Sequence, residues 1–258
     1  MANTVFNNKI IEAKAKDLLA TAVNAKNLMT VDTSLTSEAG MTKTINVYTY
    51  DGKAEELGVG EGNTNVGSIT YVGTDYTVKM VQQAFAYFDE DFMKDDTIVD
   101  NMLKGANQVM VNKMTEDFYT ECAKANVSYE TSAFGYEAIV DAIAKLNLED
   151  ESKLFVVIPT SWKADLRKDD DYKAARMGEV VYTGQVGTIC GIPVIATNAL
   201  TDEAYVMTNE AVKLFMKKDV EVEQQREANE RTNNVYLRTA YICALADATK
   251  ICKVTVTA

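Results

Sequence analysis

Three features place this 258-residue chain in the α+β class. Within residues 41–88, two stretches, 44–49 and 76–80, alternate at period two on either side of a long loop. Residues 95–124 repeat apolar side chains at steps of three and four. Beyond residue 130 short runs of both kinds are mixed. Strands and helices therefore come in blocks rather than in regular alternation.

Composition narrows the function classes. The chain has 26 Lys+Arg against 38 Asp+Glu, a formal charge of -12, and no histidine. Without histidine there is no imidazole general base, no Ser-His or Cys-His nucleophile pair and no His-ligated zinc. The acidic balance argues against a protein that grips nucleic acid through its phosphates, which needs clustered Lys and Arg. The apolar fraction of 47 % is that of a globular chain. No apolar run approaches the ~20 residues of a membrane helix. The first residues lack the basic region and apolar core of a secretory signal. Cys122, Cys190, Cys243 and Cys252 form no CxxC pair and are read as reduced, mostly buried thiols.

Residues 9–29 carry a thin helical stripe (Ile10, Ile11, Leu18, Leu19, Ala22, Val23), which describes an arm that orders against a partner surface. Ile45, Val47 and Thr49 alternate with Thr44, Asn46 and Tyr48 as a strand, and a second strand region runs from Ser68 to Phe88. The loop between them, Asp51 to Ser68, lies in a region that holds seven of the 13 glycines, at 40, 52, 58, 60, 62, 67 and 73. Together these form a long hairpin with a flexible tip, which an ordered domain seldom tolerates without a task for it.

One helix is expected over 95–124, with Ile98, Met102, Ala106, Val109, Met110, Met114, Phe118 and Cys122 along its stripe. At ~1.5 Å per residue it spans roughly 45 Å. The acids of 89–96 suit its positive N-terminal end, and Asp100 with Lys104 forms an i,i+4 pair. A short helix follows over 136–147, then the apolar strand Leu154–Ile158, stopped by Pro159. Ser161 is the expected cap of a helix holding Trp162 and Leu166. Residues 180–197, 204–208, 212–217 and 251–256 read as strands. Val220 to Glu223 alternates, and Asn233-Asn234 separates it from the apolar stretch Val235 to Leu245.

The candidate chemistry is sparse. Gly58-Val59-Gly60-Glu61-Gly62 lies between two strands and among carboxylates, whereas a phosphate loop follows a buried strand and opens a helix. The acids at 89–96 and Asp169-Asp170-Asp171 lack the spacing of a calcium loop. No cofactor, metal or catalytic residue is assigned. Arg226, Glu227, Glu230, Arg231 and Arg238 gather mixed charge near a turn, suited to ion pairs between subunits.

The order of parts resembles the Hong Kong 97-like fold of tailed-phage major capsid proteins. Ala54 to Gly62 with the strand around Tyr76 to Lys79 resembles that family's E-loop. Phe155 to Trp162 with Leu166-Arg167 resembles its A-domain strand-to-helix step. Thr183 to Ile195 resembles its G-x-x-G-x-x-x-G-x-P-V signature, and Val222 to Arg226 with Val235 to Ala244 its closing P-domain strands. The resemblance implies an N-terminal arm at 1–40, the E-loop and its flanking strands at 41–88, and a P-domain spine helix at 89–128. It further implies an A-domain at 129–218, P-domain strands and loop at 219–247, and a C-terminal strand at 248–258 returning to the A-domain.

The implied function is a non-enzymatic shell subunit that self-assembles around a phage double-stranded DNA genome. Assembly in the host cytoplasm and residence in the virion capsid go with it. The implied partners are further copies in hexamers and pentamers, a portal, scaffolding or decoration proteins, and DNA through weak non-specific contact, with no membrane. The chain begins near the arm, so a scaffold is expected as a separate protein or not at all. Candidate intersubunit contacts are Lys53, Glu55, Glu56 and Glu61 in the loop and Arg226, Glu230 and Arg231 at the turn. Some relatives cross-link a loop lysine to an asparagine; Lys53 is the only candidate at the tip, nothing identifies its partner, and no cross-link is expected. Repeated over a shell, a charge of -12 implies a lumen that does not hold its DNA tightly. The alternatives are an encapsulin-like compartment with a protein cargo, and an acidic cytosolic hydrolase or binding protein.

Overall fold

The structure is a computed structural model, and it describes residues 11, 13–15, 25–37, 39–95, 97–170, 172 and 187–257. Twelve strands form three sheets among the described residues. A four-stranded sheet has the order β1 (Thr30–Asp32), β10 (Val212–Glu227), β11 (Thr232–Leu245), β4 (Lys79–Phe88). A six-stranded sheet has the order β5 (Val127–Thr131), β12 (Ile251–Val256), β9 (Glu203–Thr208), β6 (Leu154–Pro159), β8 (Ile192–Thr197), β7 (Thr188–Ile189). The third sheet is a two-stranded antiparallel ribbon of β2 (Thr42–Tyr50) and β3 (Ile69–Thr77). Four α-helices are described: α1 (Asp89–Lys94), α2 (Ile98–Cys122), α3 (Tyr136–Leu146) and α4 (Lys163–Lys168).

The long helix α2 joins the two large sheets. Its first half lays Val99, Leu103, Ala106 and Met110 against Val220, Val222, Val235 and Leu237 of β10 and β11, with Tyr87 of β4. Its second half lays Met114, Phe118, Tyr119 and Cys122 into a core shared by Leu214 and Tyr241 of the four-stranded sheet and Phe155, Val157, Tyr205, Met207 and Ile251 of the six-stranded sheet. The opposite face of the six-stranded sheet carries Leu154, Val156, Ile158, Val206 and Val254, which pack on Ile139, Ile143 and Leu146 of α3. Both faces of β6 are therefore dry, which is why residues 154–158 are apolar without alternation.

The helix differs from its expected span in two ways. It is broken at Asp95, whose extended backbone ends α1 (φ −143°, ψ 110°) and whose carboxylate accepts from the N–H and hydroxyl of Thr97 at 2.9 and 2.7 Å. This local Asx bond competes with helical pairing. The buried stripe is Val99, Leu103, Ala106, Met110, Met114, Phe118 and Cys122, and Val109 is 49 % exposed instead. At 100° per residue, Val109 lies on the flank of a stripe centred on 103, 106 and 110. Asp100 pairs with Lys14 of the N-terminal segment at 2.9 Å, and not with Lys104. Ile11 and Ala15 beside Lys14 join the core of the first half of α2.

Other differences are local. The turn between β10 and β11 lies at 228–231, and Asn233 and Asn234 are inside β11, opposite Arg226 and Gln225. Asn233 is buried and donates to Asp89 at 2.8 Å, a tertiary bond that outweighs its turn preference. Ser161 does not cap α4; the helix begins after Trp162, which stacks on Phe134 at 4.5 Å, and no side chain bonds its first turn. Asp169 accepts from the Tyr136 N–H that opens α3 at 2.6 Å, a capping contact from 33 residues away. Strand β5, unforeseen in the sequence, pairs in parallel with β12 at the edge of the six-stranded sheet. Of the strand region expected over 180–197, the part before Gly187 lies outside the described residues. So does most of the expected arm helix, and with it Asp171. Cys122, Cys243 and Cys252 are buried and Cys190 is exposed, all four as free thiols.

Phe118 has no exposed surface where both sheets meet α2. Phe118→Ala is expected to lower the unfolding free energy by about 3–5 kcal/mol, measured by denaturant titration of the purified chain.

Candidate assembly interface

The ribbon β2–β3 leaves the body at a tightly held base. Val78 separates β3 from β4, is buried, and donates its N–H to the Met41 carbonyl at 2.7 Å. Ile45 and Tyr76 pack against Leu35, Phe215, Ala240 and Ile242 on the outer face of the four-stranded sheet. The ammonium of Lys43 lies 5.8 Å over the Phe215 ring, and that of Lys124 lies 5.7 Å over the Tyr76 ring. Lys124 also binds Glu121 at 2.7 Å, and burial beside that carboxylate raises the Tyr76 phenol above its usual range. A hollow of about 250 Å³ at this base is lined by Tyr76, Val78, Lys79, Glu121 and Cys243.

Below the base one buried carboxylate organises the contact of α2 with the sheet. Asp117 is 5 % exposed and accepts from the Tyr241 hydroxyl at 2.9 Å and from Lys79 at 3.1 Å, with Lys113 at 3.4 Å. A buried charge is tolerated when it is paired and hydrogen-bonded on several sides, as it is here. Burial and the neighbouring carboxylate push the Tyr241 phenol well up, so it stays a neutral donor.

The loop at the far end of the ribbon, expected to be a flexible tip, is laced by its own acids. Asp51 accepts from the Ser68 N–H at 2.5 Å and from its hydroxyl at 3.0 Å. Glu55 accepts from the Thr64 N–H and hydroxyl at 2.7 and 2.8 Å. Glu61 closes a turn by accepting from the Gly58 N–H at 3.1 Å, while its own N–H donates to the Gly58 carbonyl. Gly60 sits at φ +86° in that turn, where glycine is needed. Gly52 and Gly67 face each other beneath the Tyr50 ring, and a Cβ on Gly67 would overlap both the ring and the Gly52 backbone.

The seven sequence-derived contact residues fall into two clusters. In the loop, Glu55 and Glu61 are engaged internally, and the Lys53 carbonyl accepts from Asn65 at 3.4 Å. The side chains of Lys53 and Glu56 make no hydrogen bond or ion pair among the described residues. At the turn, Arg226 binds Asp89 at 2.7 Å and Arg231 binds Glu90 at 2.6 Å, fastening the β10–β11 turn to α1. Arg238 binds Glu223 across the same two strands at 2.6 Å. The Glu230 side chain is left unpaired among the described residues. Sequence reasoning missed that the acids at 89 and 90 serve the turn; their signal, acids at a helix start, has a local explanation that hid the tertiary one.

No group of three acidic, cysteine or histidine side chains that could hold a metal occurs among the described residues. No described helix is long and apolar enough to cross a membrane. The geometry is that of a body with its own core from which a laced, exposed ribbon projects.

Comparison with solved structures assigns this architecture. The chain superimposes on the capsid protein of cyanophage P-SCSP1u with a TM-score of 0.68 at 12 % identity, over 89 % of this chain and 86 % of the other. The chain has the Hong Kong 97-like fold of tailed-phage major capsid proteins. A virus-like particle protein from Pyrococcus furiosus shares this capsid fold with a TM-score of 0.65 at 10 % identity, over 97 % of this chain and all of that one. In sequence, a major capsid protein of Staphylococcus phage phiMR11 is 22 % identical over 231 residues, 87 % of this chain and 84 % of that protein. No protein-family model matches the chain.

Two outcomes test the loop. Gly67→Ala is expected to displace Tyr50 and open the Asp51–Ser68 rung, seen as lost hydrogen-exchange protection at the Ser68 amide. The hydrogen bonds hold the Asp51 and Glu55 carboxyls below their usual range, with Ser68 and Thr64 the respective causes. The lacing is therefore complete above about pH 4, the ordinary carboxylate pKa, and is lost as pH falls below it. Proton resonances of Ser68 and Thr64 are expected to shift in that acid window and not between pH 5 and 8.

Proposed function

We propose that this chain is the major capsid protein of a tailed phage, self-assembling into the icosahedral shell that encloses a double-stranded DNA genome. The observation that carries the reading is the projecting ribbon. Tyr48, Tyr50, Ile69, Tyr71 and Val72 are each about two-thirds exposed. A two-stranded ribbon without its own core is not stable in water, so it needs a covering surface. A closed shell of identical copies supplies one, and many weak contacts per copy sum to a stable particle. The role is structural and requires no catalytic centre.

Residues 1–40 serve as the arm, 41–88 as the E-loop, 89–128 and 219–247 as the P-domain, 129–218 as the A-domain, and 248–258 as the strand that returns to it. The E-loop lies over an adjacent copy. The unpaired side chains of Lys53, Glu56 and Glu230 are the charges left over for contacts between copies, and Glu55, Glu61, Arg226 and Arg231 hold the surrounding loops in shape for those contacts. Hexamers and pentamers of the chain, a portal, scaffolding or decoration proteins, and loosely held DNA complete the assembly in the host cytoplasm.

The alternative is an encapsulin-like protein compartment with the same fold, which the virus-like particle from Pyrococcus furiosus also has. Electron microscopy with nuclease protection separates them. Particles holding nuclease-protected double-stranded DNA are expected; particles holding a protein cargo support the compartment. A soluble monomer or small oligomer removes both. Deleting residues 54–62 is expected to leave a folded chain that forms no particles, checked by circular dichroism and sedimentation; wild-type particles from that deletion overturn the shell reading.

A further inference from the structure

The far end of the ribbon holds the chain's only Asp-Gly pair, Asp51-Gly52, and the chain has no Asn-Gly pair. In an Asp-Gly pair the backbone nitrogen readily attacks the preceding side chain, because glycine has no Cβ to bar the approach and turns freely. Each residue of the pair is required by a different contact. Asp51 is one half of a rung to Ser68. Its carboxylate accepts from the Ser68 N–H at 2.5 Å and from the Ser68 hydroxyl at 3.0 Å, and its own N–H donates to the Ser68 carbonyl at 3.2 Å. Gly52 lies beneath the Tyr50 ring, where a Cβ would overlap the phenol, and its φ is not positive. A chemically reactive pair therefore stands where packing and hydrogen bonding call for these two residues.

The reaction open to such a pair begins when the glycine nitrogen bonds to Cγ of the protonated aspartate. The carboxyl C–O bond breaks, and the hydroxyl leaves with the amide proton as water. The cyclic succinimide then takes up water at one of its two carbonyls. Opening at Cγ restores aspartate. Opening at the other carbonyl leaves the main chain running through Cγ, an isoaspartate, with no net change in atoms. The fold opposes the first step at the carboxyl. Oδ1 is held by the Ser68 N–H and Oδ2 by the Ser68 hydroxyl, so Cγ cannot turn toward Gly52 without breaking both bonds. The same two bonds hold the carboxyl below its usual range and so keep it ionised, which makes Cγ a poor target for a nucleophile. The Gly52 N–H bonds to no group among the described residues, so the attacking nitrogen is unguarded and the carboxyl is the locked partner.

We propose that Asp51-Gly52 is an isoaspartate-forming site held dormant in the folded chain by the Ser68 rung. Isomerisation there adds a methylene to the main chain and moves the carboxylate off Ser68, so a single event opens the lacing of the loop permanently. The inference concerns the chain itself and does not depend on the shell reading. Ageing of the full-length chain at about pH 6, above the window in which the lacing itself is lost, tests it. Isoaspartate is read by enzymatic methylation with an isoaspartyl methyltransferase and by the shifted retention, at unchanged mass, of the tryptic peptide Thr44–Lys53, whose only aspartate is Asp51. The folded wild-type chain is expected to form isoaspartate at least roughly tenfold more slowly than the same chain in urea, the factor that one hydrogen bond to a charged group accounts for. Gly67→Ala and Ser68→Ala, each shown to be folded by circular dichroism, are expected to age about tenfold faster than the folded wild type, whereas Ser68→Thr, which keeps both donors, stays at the wild-type rate. A folded wild-type chain that ages at the urea rate overturns the proposal without any variant. Variants that age as slowly as the wild type while the Ser68 amide has lost its hydrogen-exchange protection also overturn it, because the guard is then something other than the rung, a covering neighbour included.

Discussion

Everything in this molecule depends on one helix packing on two sheets at once. The first half of α2 completes the core of the four-stranded sheet, and its second half enters the core shared with the six-stranded sheet. A helix of 25 residues is long enough to reach both, and its rigidity sets the angle between them. The buried Asp117 sits on this helix where the ribbon strand runs into β4, so that Lys79, Tyr241 and α2 are tied at one point. The direction in which the ribbon projects is therefore a consequence of how α2 is seated.

With the body closed in this way, the unpacked surface is concentrated in the ribbon and the β4 edge. The ribbon is well formed: its base is pinned by Ile45, Tyr76 and the Lys43 and Lys124 contacts, and its loop is laced by Asp51, Glu55 and Glu61. It is ordered geometry without cover. A pre-shaped projection loses little conformational freedom on meeting a neighbour, which leaves more of the contact energy for assembly. The acids of the loop thus shape the contact surface more than they touch a partner, while Lys53 and Glu56 keep charge available at its tip.

Part of this was legible from residue order alone. The three-four spacing of the long helix and the apolar run at 154–158 each reflect burial along a single element, whereas the strand that the alternation at 44–49 marks is exposed from Asn46 to Tyr50; all three appear at nearly the expected place. The capsid fold was legible because the order of such elements along the chain is itself distinctive. The Asn233-Asn234 turn, the Ser161 cap and the Asp100–Lys104 pair failed together for one reason. Each is a local preference that a distant partner displaced: Asp89 took Asn233, Phe134 took Trp162, and Lys14 took Asp100.

The contact residues show the same division. Mixed charge at 226–231 and acids at 55–61 were visible as charge, but whether a charge is spent inside the chain is decided by what the fold brings beside it. Asp89 and Glu90 lie more than a hundred residues from Arg226 and Arg231, and only the pairing of β4 with β11 places them together. The sequence by itself determined the α+β class, the order of the parts, the long helix and the absence of imidazole chemistry, since these depend on composition and short-range periodicity. The tertiary structure alone decided which charges remain free, that the glycine-rich loop is laced rather than loose, and that Val47, Tyr48, Tyr71 and Val72 of the ribbon all stand exposed, because these depend on register and on partners far away in the chain.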